Sequence, residues 1–320
     1  MRTIHCLYLF LAGLLLSGLL ACNSKPPDAA TAEADAFAAN NATLDAYTSS
    51  KGLATVNQPS GLRYVIIQSA PATAKQAALG DEVEFSYVQY VVKSANDAGT
   101  LAVRDSLIDT THATRPAFVP FFDKALIPGL QEGLLLLREG AKATLLMPAR
   151  LAFGAQGSVN GTIIANTPVR IDVTLKRSRS EIQQINEYIA RSKLTVTDST
   201  TSGLRLVKMK SKPTGDSIRN GATLDLRFNG GILRSATAID STAGNVTRPY
   251  TVGQPATIRI LATEGFRQGL AKLRVGERAI LIFPSSLGYT SKGYIQDGTN
   301  VFLIAPNAPL RIDVEVVSVR

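Results

Sequence analysis

The stretch Glu264-Gly265-Phe266-Arg267-Gln268-Gly269-Leu270-Ala271-Lys272-Leu273-Arg274-Val275-Gly276 decides how this chain is read. Phe266, Leu270 and Leu273 stand at i, i+4 and i+7, on one face of a helix, and Gly276 can end that helix in a left-handed conformation. The pattern stands earlier too, over residues 128–139, with Leu130, Leu134 and Leu137 followed by Gly140. An apolar strand follows each at once, over residues 143–147 and 279–283. The chain is built from a repeated unit.

Working outward, Ser60-Gly61-Leu62-Arg63 returns as Ser202-Gly203-Leu204-Arg205, and Tyr47, Gly80 and Ile171 return as Tyr188, Gly221 and Ile312, each 141 residues on. Inside the repeat the offset drifts. Asp109 matches Asp240 after 131 residues and Phe153 matches Tyr289 after 136, which predicts loop insertions. Each copy opens with a predicted helix (residues 34–50 and 180–194) and an extended segment (62–68 and 204–208). A strand of period 2 follows, with Val83, Phe85 and Tyr87 or Leu224, Leu226 and Phe228. The last strand alternates again, through Val169, Ile171, Val173 and Leu175 or Leu310, Ile312, Val314 and Val316. One helix enclosed by mostly antiparallel strands makes each copy an α+β unit.

Composition narrows the chemistry. Of 320 residues, 34 are Lys or Arg and 25 Asp or Glu, a formal charge of +9. The basic residues are spread out without interleaved aromatics, so no nucleic-acid partner is expected. There are two His (His5, His112) and two Cys (Cys6, Cys22). His5 and Cys6 fall in a segment read as removed, which leaves one of each. A Cys/His zinc site needs three or four ligands, so no metal is expected. A Ser-His-Asp or Cys-His centre would rest on His112 alone, more simply read as a loop residue. No cofactor is expected, since no Walker-type loop or G-x-G-x-x-G occurs. Gly157-Ser158-Val159-Asn160-Gly161 has its Ser one position off G-x-S-x-G.

Residues 1–21 carry Arg2, an apolar run over residues 7–20 and a small-residue end, the make-up of a signal peptide. Leu19-Leu20-Ala21-Cys22 resembles the lipobox of bacterial lipoproteins, which implies cleavage before Cys22 and lipidation of it. The protein would then be exported and held to the bacterial envelope, at the outer membrane. An ordinary signal peptide with an incidental Cys is the alternative. Residues 22–43, rich in Ala, Asn, Pro and Asp, are expected to form a flexible tether. Two domains, each with its leading helix, are expected over residues 44–178 and 179–320.

Copy two reads Gly265-Phe266-Arg267-Gln268-Gly269-Leu270, Val275-Gly276-Glu277-Arg278, Phe283-Pro284-Ser285-Ser286-Leu287-Gly288-Tyr289 and Ile304-Ala305-Pro306-Asn307-Ala308-Pro309-Leu310. Copy one answers with Ile127-Pro128-Gly129-Leu130-Gln131-Glu132-Gly133, Glu139-Gly140-Ala141-Lys142 and Met147-Pro148-Ala149-Arg150-Leu151-Ala152-Phe153-Gly154. In order and spacing these resemble the FKBP-type peptidyl-prolyl isomerase domain, twice, over residues 60–177 and 202–320. The resemblance implies a strongly bent antiparallel sheet wrapped around one short helix, with an apolar pocket between them for the prolyl ring of a client polypeptide.

Carried over by position, the pocket of copy one is Tyr87, Ile108, Asp109, Phe118, Leu126, Ile127, Leu130, Phe153, Ile163 and Ile171. That of copy two is Phe228, Ile239, Asp240, Tyr250, Ala262, Thr263, Phe266, Tyr289, Ile304 and Ile312. By the same resemblance Asp109 and Asp240 orient the polar edge, and Tyr289 donates a hydrogen bond to a substrate carbonyl. Phe153 cannot. The floor aromatic, commonly Trp in the family, is Leu130 or Phe266. The first-strand Tyr is kept as Tyr87 and lost as Phe228, and the aliphatic pair Leu126-Ile127 is weakened to Ala262-Thr263. Plainer readings stand beside these. Tyr87, Phe228, Ile171 and Ile312 would face inward in any such sheet, and Asp109-Thr110-Thr111 and Asp240-Ser241-Thr242 have turn composition. A proline-binding chaperone without turnover and a structural surface lipoprotein are the alternatives to an isomerase.

Overall fold

The computed structural model describes residues 28–97, 100–111 and 115–320. The stretch expected as a signal peptide, Cys22 and His112 lie outside the described residues. In copy one, α1 (Ala29–Ser50) leads into β1 (Val56–Asn57), β2 (Arg63–Gln68), β3 (Glu82–Asp97), β4 (Thr100–Thr110) and β5 (Ala117–Pro120). Then come α2 (Pro128–Leu135), β6 (Lys142–Met147) and β7 (Val169–Arg179). In copy two, α3 (Glu181–Arg191) leads into β8 (Asp198–Ser199), β9 (Arg205–Lys210), β10 (Thr223–Ile232), β11 (Asp240–Ser241) and β12 (Arg248–Thr251). After α4 (Glu264–Leu270) follow β13 (Arg278–Phe283), β14 (Tyr294–Ile295), β15 (Phe302–Ile304) and β16 (Leu310–Val319).

The two sheets share one plan. Copy one runs β1-β2-β6-β7-β3-β4 with β5 also on β3; copy two runs β8-β9-β13-β16-β10-β11 with β12 also on β10. Every one of these pairings is antiparallel. The period-2 pattern has its expected consequence: Val169, Ile171, Val173 and Leu175 are fully buried, as are Leu310, Ile312, Val314 and Val316. Each set packs against the apolar face of its helix, Leu130, Leu134 and Leu137 or Phe266, Leu270 and Leu273. At about 25 cal/mol per Å² of apolar surface, these faces supply most of the stabilisation.

Both central helices are shorter than the periodicity predicts, ending at Leu135 and Leu270. Leu136 and Leu137 already make i→i−3 bonds to Gly133 and Leu134, so the last apolar residue of the stripe is placed by a tightened turn. Gly140 and Gly276, at φ +91° and +88°, serve the turn into the next strand rather than the helix end.

The leading helices dock on the outer sheet face. Leu44 and Tyr47 pack with Val92 and Leu146, and Ile185 packs with Leu233 and Ile282. The first of these helices begins at Ala29, capped by Asp28 accepting from the Thr31 N–H at 2.8 Å, so it takes in most of the stretch expected as tether. Ala-rich composition reads equally well as helix when one end is anchored by packing. The helix α3 follows β7 directly: Ser180 alone separates them and forms a capping box with Gln183.

Ion pairs join the copies across this junction. The Arg179 side chain, 4% exposed, lies 3.2 Å from Glu82, 3.0 Å from Glu84 and 3.3 Å from Glu187 of α3. Arg234 of copy two reaches Glu82 at 2.9 Å, and Phe122 meets Phe302 edge to face at 5.2 Å. The drifting offset also finds its cause. In copy one β3 and β4 run on together to Asp97↔Thr100, where copy two has only the two residues of β11. Copy two recovers five residues between Val252 and Phe266, and five more between Tyr289 and Ile304.

Candidate active site

In copy one, Tyr87 and Asp109 stand on neighbouring strands, and the Tyr87 hydroxyl donates to Asp109 Oδ2 at 2.6 Å. Burial and this carboxylate push the Tyr87 hydroxyl up to about 12, so it stays a donor at any working pH. Thr111 explains the hydroxyl residues after the aspartate. Its N–H donates to the Tyr87 carbonyl and its Oγ1 accepts from the Tyr87 N–H at 2.9 Å, pinning the two strands. Leu130 and Ile171 form the floor, and Tyr87, Leu126, Ile127 and Phe153 pack half-buried around them. Ile108 is half-buried beside Asp109 in sequence. Ile163 is buried within the loop after Phe153, where Ser158 Oγ accepts from its N–H at 2.8 Å.

Phe118 does not belong to this pocket. Strand pairing sets Val119 opposite the fully buried Val83 and Phe118 opposite Glu84, so Val119 faces the core and Phe118 faces away. Its ring, 41% exposed, lies under the guanidinium groups of Arg179 and Arg234 at 5.2 and 4.6 Å. Phe118 serves the junction between the copies.

In copy two, Phe228, Tyr250, Phe266, Ile304 and Ile312 are all buried in one cluster, with Ile239 and Tyr289 packed against it. Tyr250 meets Phe266 edge to face at 5.1 Å. Ala262 and Thr263 do not form the wall expected of them. Thr263 turns to cap α4, accepting from the Phe266 N–H at 3.3 Å and donating to the Ile260 carbonyl at 2.9 Å, while Ala262 is exposed. Ile260 and Leu261, 0% and 1% exposed, take the buried places instead. Asp240 has no tyrosine partner, because Phe228 lacks the hydroxyl. Its Oδ2 accepts from the Ile260 N–H at 3.2 Å. Tyr289 donates its hydroxyl proton to the Arg259 carbonyl at 3.0 Å, and burial together with the nearby Asp240 charge raises it above the ordinary phenol value.

The leading helices support both sites from behind. Asn40 Oδ1 accepts from the Ala149 N–H at 2.6 Å, and Glu181 Oε2 accepts from the Ser285 N–H at the same distance. Ala149 and Ser285 each open the 3-10 turn that leads to Phe153 or Tyr289. Among the described residues, no group of three His, Cys, Asp or Glu side chains is placed to hold a metal ion.

The profile of the FKBP-type peptidyl-prolyl cis-trans isomerase family matches residues 73–176 and 215–317. Peptidyl-prolyl cis-trans isomerase FPR2 of Saccharomyces cerevisiae is 30% identical over 132 residues, 39% of this chain and 88% of that protein. Peptidyl-prolyl cis-trans isomerase FKBP53 of Arabidopsis thaliana is 30% identical over 109 residues, 34% of this chain but 20% of the relative's length. Among solved structures, that of the three FKBP domains of wheat FKBP73 covers 82% of this chain and 96% of its own, at a TM-score of 0.34 and 18% identity. The family profile spans most of both sheets: this chain belongs to the FKBP-type peptidyl-prolyl cis-trans isomerase family.

Proposed function

We propose that this family member catalyses rotation about X-Pro bonds of exported polypeptides, working from a lipid anchor at Cys22 on the bacterial outer membrane. The observation that carries the reading is the make-up of one copy-one cluster: Leu126, Ile127, Leu130, Phe153 and Ile171 pack together around Tyr87, whose hydroxyl is fixed on Asp109. Amide rotation breaks no bond and needs no nucleophile. Its barrier of ~18–20 kcal/mol is the loss of resonance at the twisted geometry. The twisted amide separates less charge than the planar one, so a site that replaces water by side chains favours it. Stabilising it by about 5–6 kcal/mol gives roughly a 10⁴-fold acceleration. Uncatalysed isomerisation takes tens to hundreds of seconds, slow enough to limit folding after export.

The test is a cis-to-trans assay with an Ala-Leu-Pro-Phe anilide peptide on the full chain, where a rate equal to buffer overturns the reading. Phe153→Tyr restores the missing hydroxyl. One added hydrogen bond of about 0.5–1.5 kcal/mol raises kcat/KM roughly 2–10-fold. A second reading, a proline binder without turnover, is favoured by that missing hydroxyl at Phe153; peptide binding without acceleration would establish it. For the anchor, Cys22→Ala moves the protein from the membrane fraction to the soluble fraction. Retention of the variant with the membrane would refute lipidation at Cys22.

A further inference from the structure

Asp240 and Tyr289 hold the two ends of one and the same peptide group. The N–H that Asp240 accepts is that of Ile260, and the carbonyl to which Tyr289 donates is that of Arg259. The Ile260 side chain is fully buried in the cluster that contains Phe228, Tyr250 and Phe266. It lies so close to β10 that a Cβ on Gly230 would fall 2.4 Å from Ile260 Cγ1. We infer that the Arg259–Ile260 peptide is a built-in ligand of the copy-two pocket, so that copy one is the chain's open prolyl site. This rests on the reading that a client's X-Pro group enters beside Asp240 and Tyr289.

Three further observations carry it. First, the segment is extra chain: Phe121 and Val252 make the same backbone bonds, to Asp81 and Gly80 or to Ala222 and Gly221. Leu130 stands nine positions after Phe121, and Phe266 stands fourteen after Val252. Second, the other insertion of copy two meets the first. Arg259 lies over the Tyr294 ring at 5.2 Å and reaches Asp297 at 3.4 Å, both in the lengthened loop after Tyr289. Third, the two copies differ in exposure as a filled and an open site should. The difference lies on the walls: Phe228 and Thr263 are 5% and 4% exposed where their counterparts Tyr87 and Ile127 are half-buried, while the floors (Leu130 and Ile171, Phe266 and Ile312) are buried in both copies and Phe153 and Tyr289 are alike half-buried.

The chemistry favours the internal peptide over a client. A prolyl nitrogen carries no hydrogen, so an X-Pro imide cannot give Asp240 the bond that Ile260 gives. The internal segment also needs no association entropy.

The experiment uses the full chain. Ile127→Glu blocks the copy-one site, and copy-two amide exchange and Tyr289 ring signals unchanged from wild type show that copy two stays folded and acts alone. Peptide kcat/KM then falls at least 20-fold. Retention of half the rate would show copy two open and overturn the inference. Two readouts stand apart from catalysis and decide the matter even if the wild-type chain proves inactive. The Ile260 amide exchanges with deuterium at least 100-fold more slowly than a free peptide, and the NMR signals of the Tyr289 ring do not move when millimolar Ala-Leu-Pro-Phe peptide is added. In Ile260→Gly they do move. Free-peptide exchange at Ile260, a wild-type Tyr289 that responds to peptide, or an Ile260→Gly chain that does not, each counts against a seated segment.

Discussion

Gly265→Val lowers the stability of copy two by about 3 kcal/mol, and Gly265→Ala lowers it too, although alanine is the better helix former by about 1 kcal/mol. The sign follows from the helix–sheet contact. A Cβ at Gly265 would lie 2.4, 2.4 and 2.6 Å from three atoms of the Phe283 ring, and Phe283 is fully buried on β13 with no room to swing. One turn on, a Cβ at Gly269 would lie 2.4 Å from Leu281. Copy one repeats the arrangement, with Gly129 against Met147 and Gly133 against Leu145, at 2.6 and 2.3 Å. Each central helix thus meets its sheet along a glycine pair four residues apart, which brings Leu130 or Phe266 to the pocket floor. Denaturant unfolding of the full chain checks the claim. A midpoint for Gly265→Ala equal to or above wild type would mean that the helix stands off the sheet.

The repeat made most of this fold legible before any coordinates. Strands of period 2 and an i, i+4, i+7 stripe each bury one face, and two matching copies remove the ambiguity of either alone. The helix ends were less legible, because a tightened turn continues the apolar spacing after the α-helical bonds stop. The extent of α1 was missed for a related reason. Its first half is exposed and Ala-rich with Phe37 as its one large apolar residue, so no apolar stripe separates it from a solvated linker; the contacts of Asn40, Leu44 and Tyr47 settle it.

The placement of the candidate residues was legible on the long strands and less so on the short strand and in the segment of changed length. Tyr87, Asp109, Ile171 and their counterparts sit at register positions that the repeat fixes. Phe118 was misplaced by a single residue, and in a strand one residue reverses the face. The Ala262-Thr263 pair stands before the helix at the end of a segment whose length differs between the copies, so its place in the repeat does not fix which way it faces. The drift of the offset from 131 at Asp240 to 136 at Tyr289 was the signal that this segment is longer. What the number could not say is that the extra residues turn inward, a matter of Ile260 finding the space over Gly230.

Glu277→Ala costs copy two about 2–4 kcal/mol, because it removes a buried carboxylate and strands two backbone N–H donors together with the partly exposed Lys208 ammonium. The Glu277 side chain is 1% exposed. It accepts from Lys208 Nζ at 3.0 and 3.1 Å and from the backbone N–H groups of Lys212 and Arg274, each at 3.0 Å. One carboxylate thereby ties the end of β9 and the turn after α4 to the start of β13. Burial alone would push this carboxyl up, but the Lys212 N–H, the Lys208 ammonium and the Arg274 N–H outweigh it and hold it below its ordinary 4.5. The sign of the pH dependence follows. Below 4.5 the unfolded chain takes up a proton that the folded chain refuses, so the stabilisation is complete above that pH and is lost as pH falls through the depressed folded value. In Glu277→Ala this part of the acid slope disappears. Asp313→Asn, which breaks the more exposed Arg278 pair, should cost under about 1 kcal/mol. Urea unfolding of the three chains from pH 7 down to pH 3 checks both claims, and equal losses for Glu277→Ala and Asp313→Asn at pH 7 would refute the role given to the buried carboxylate.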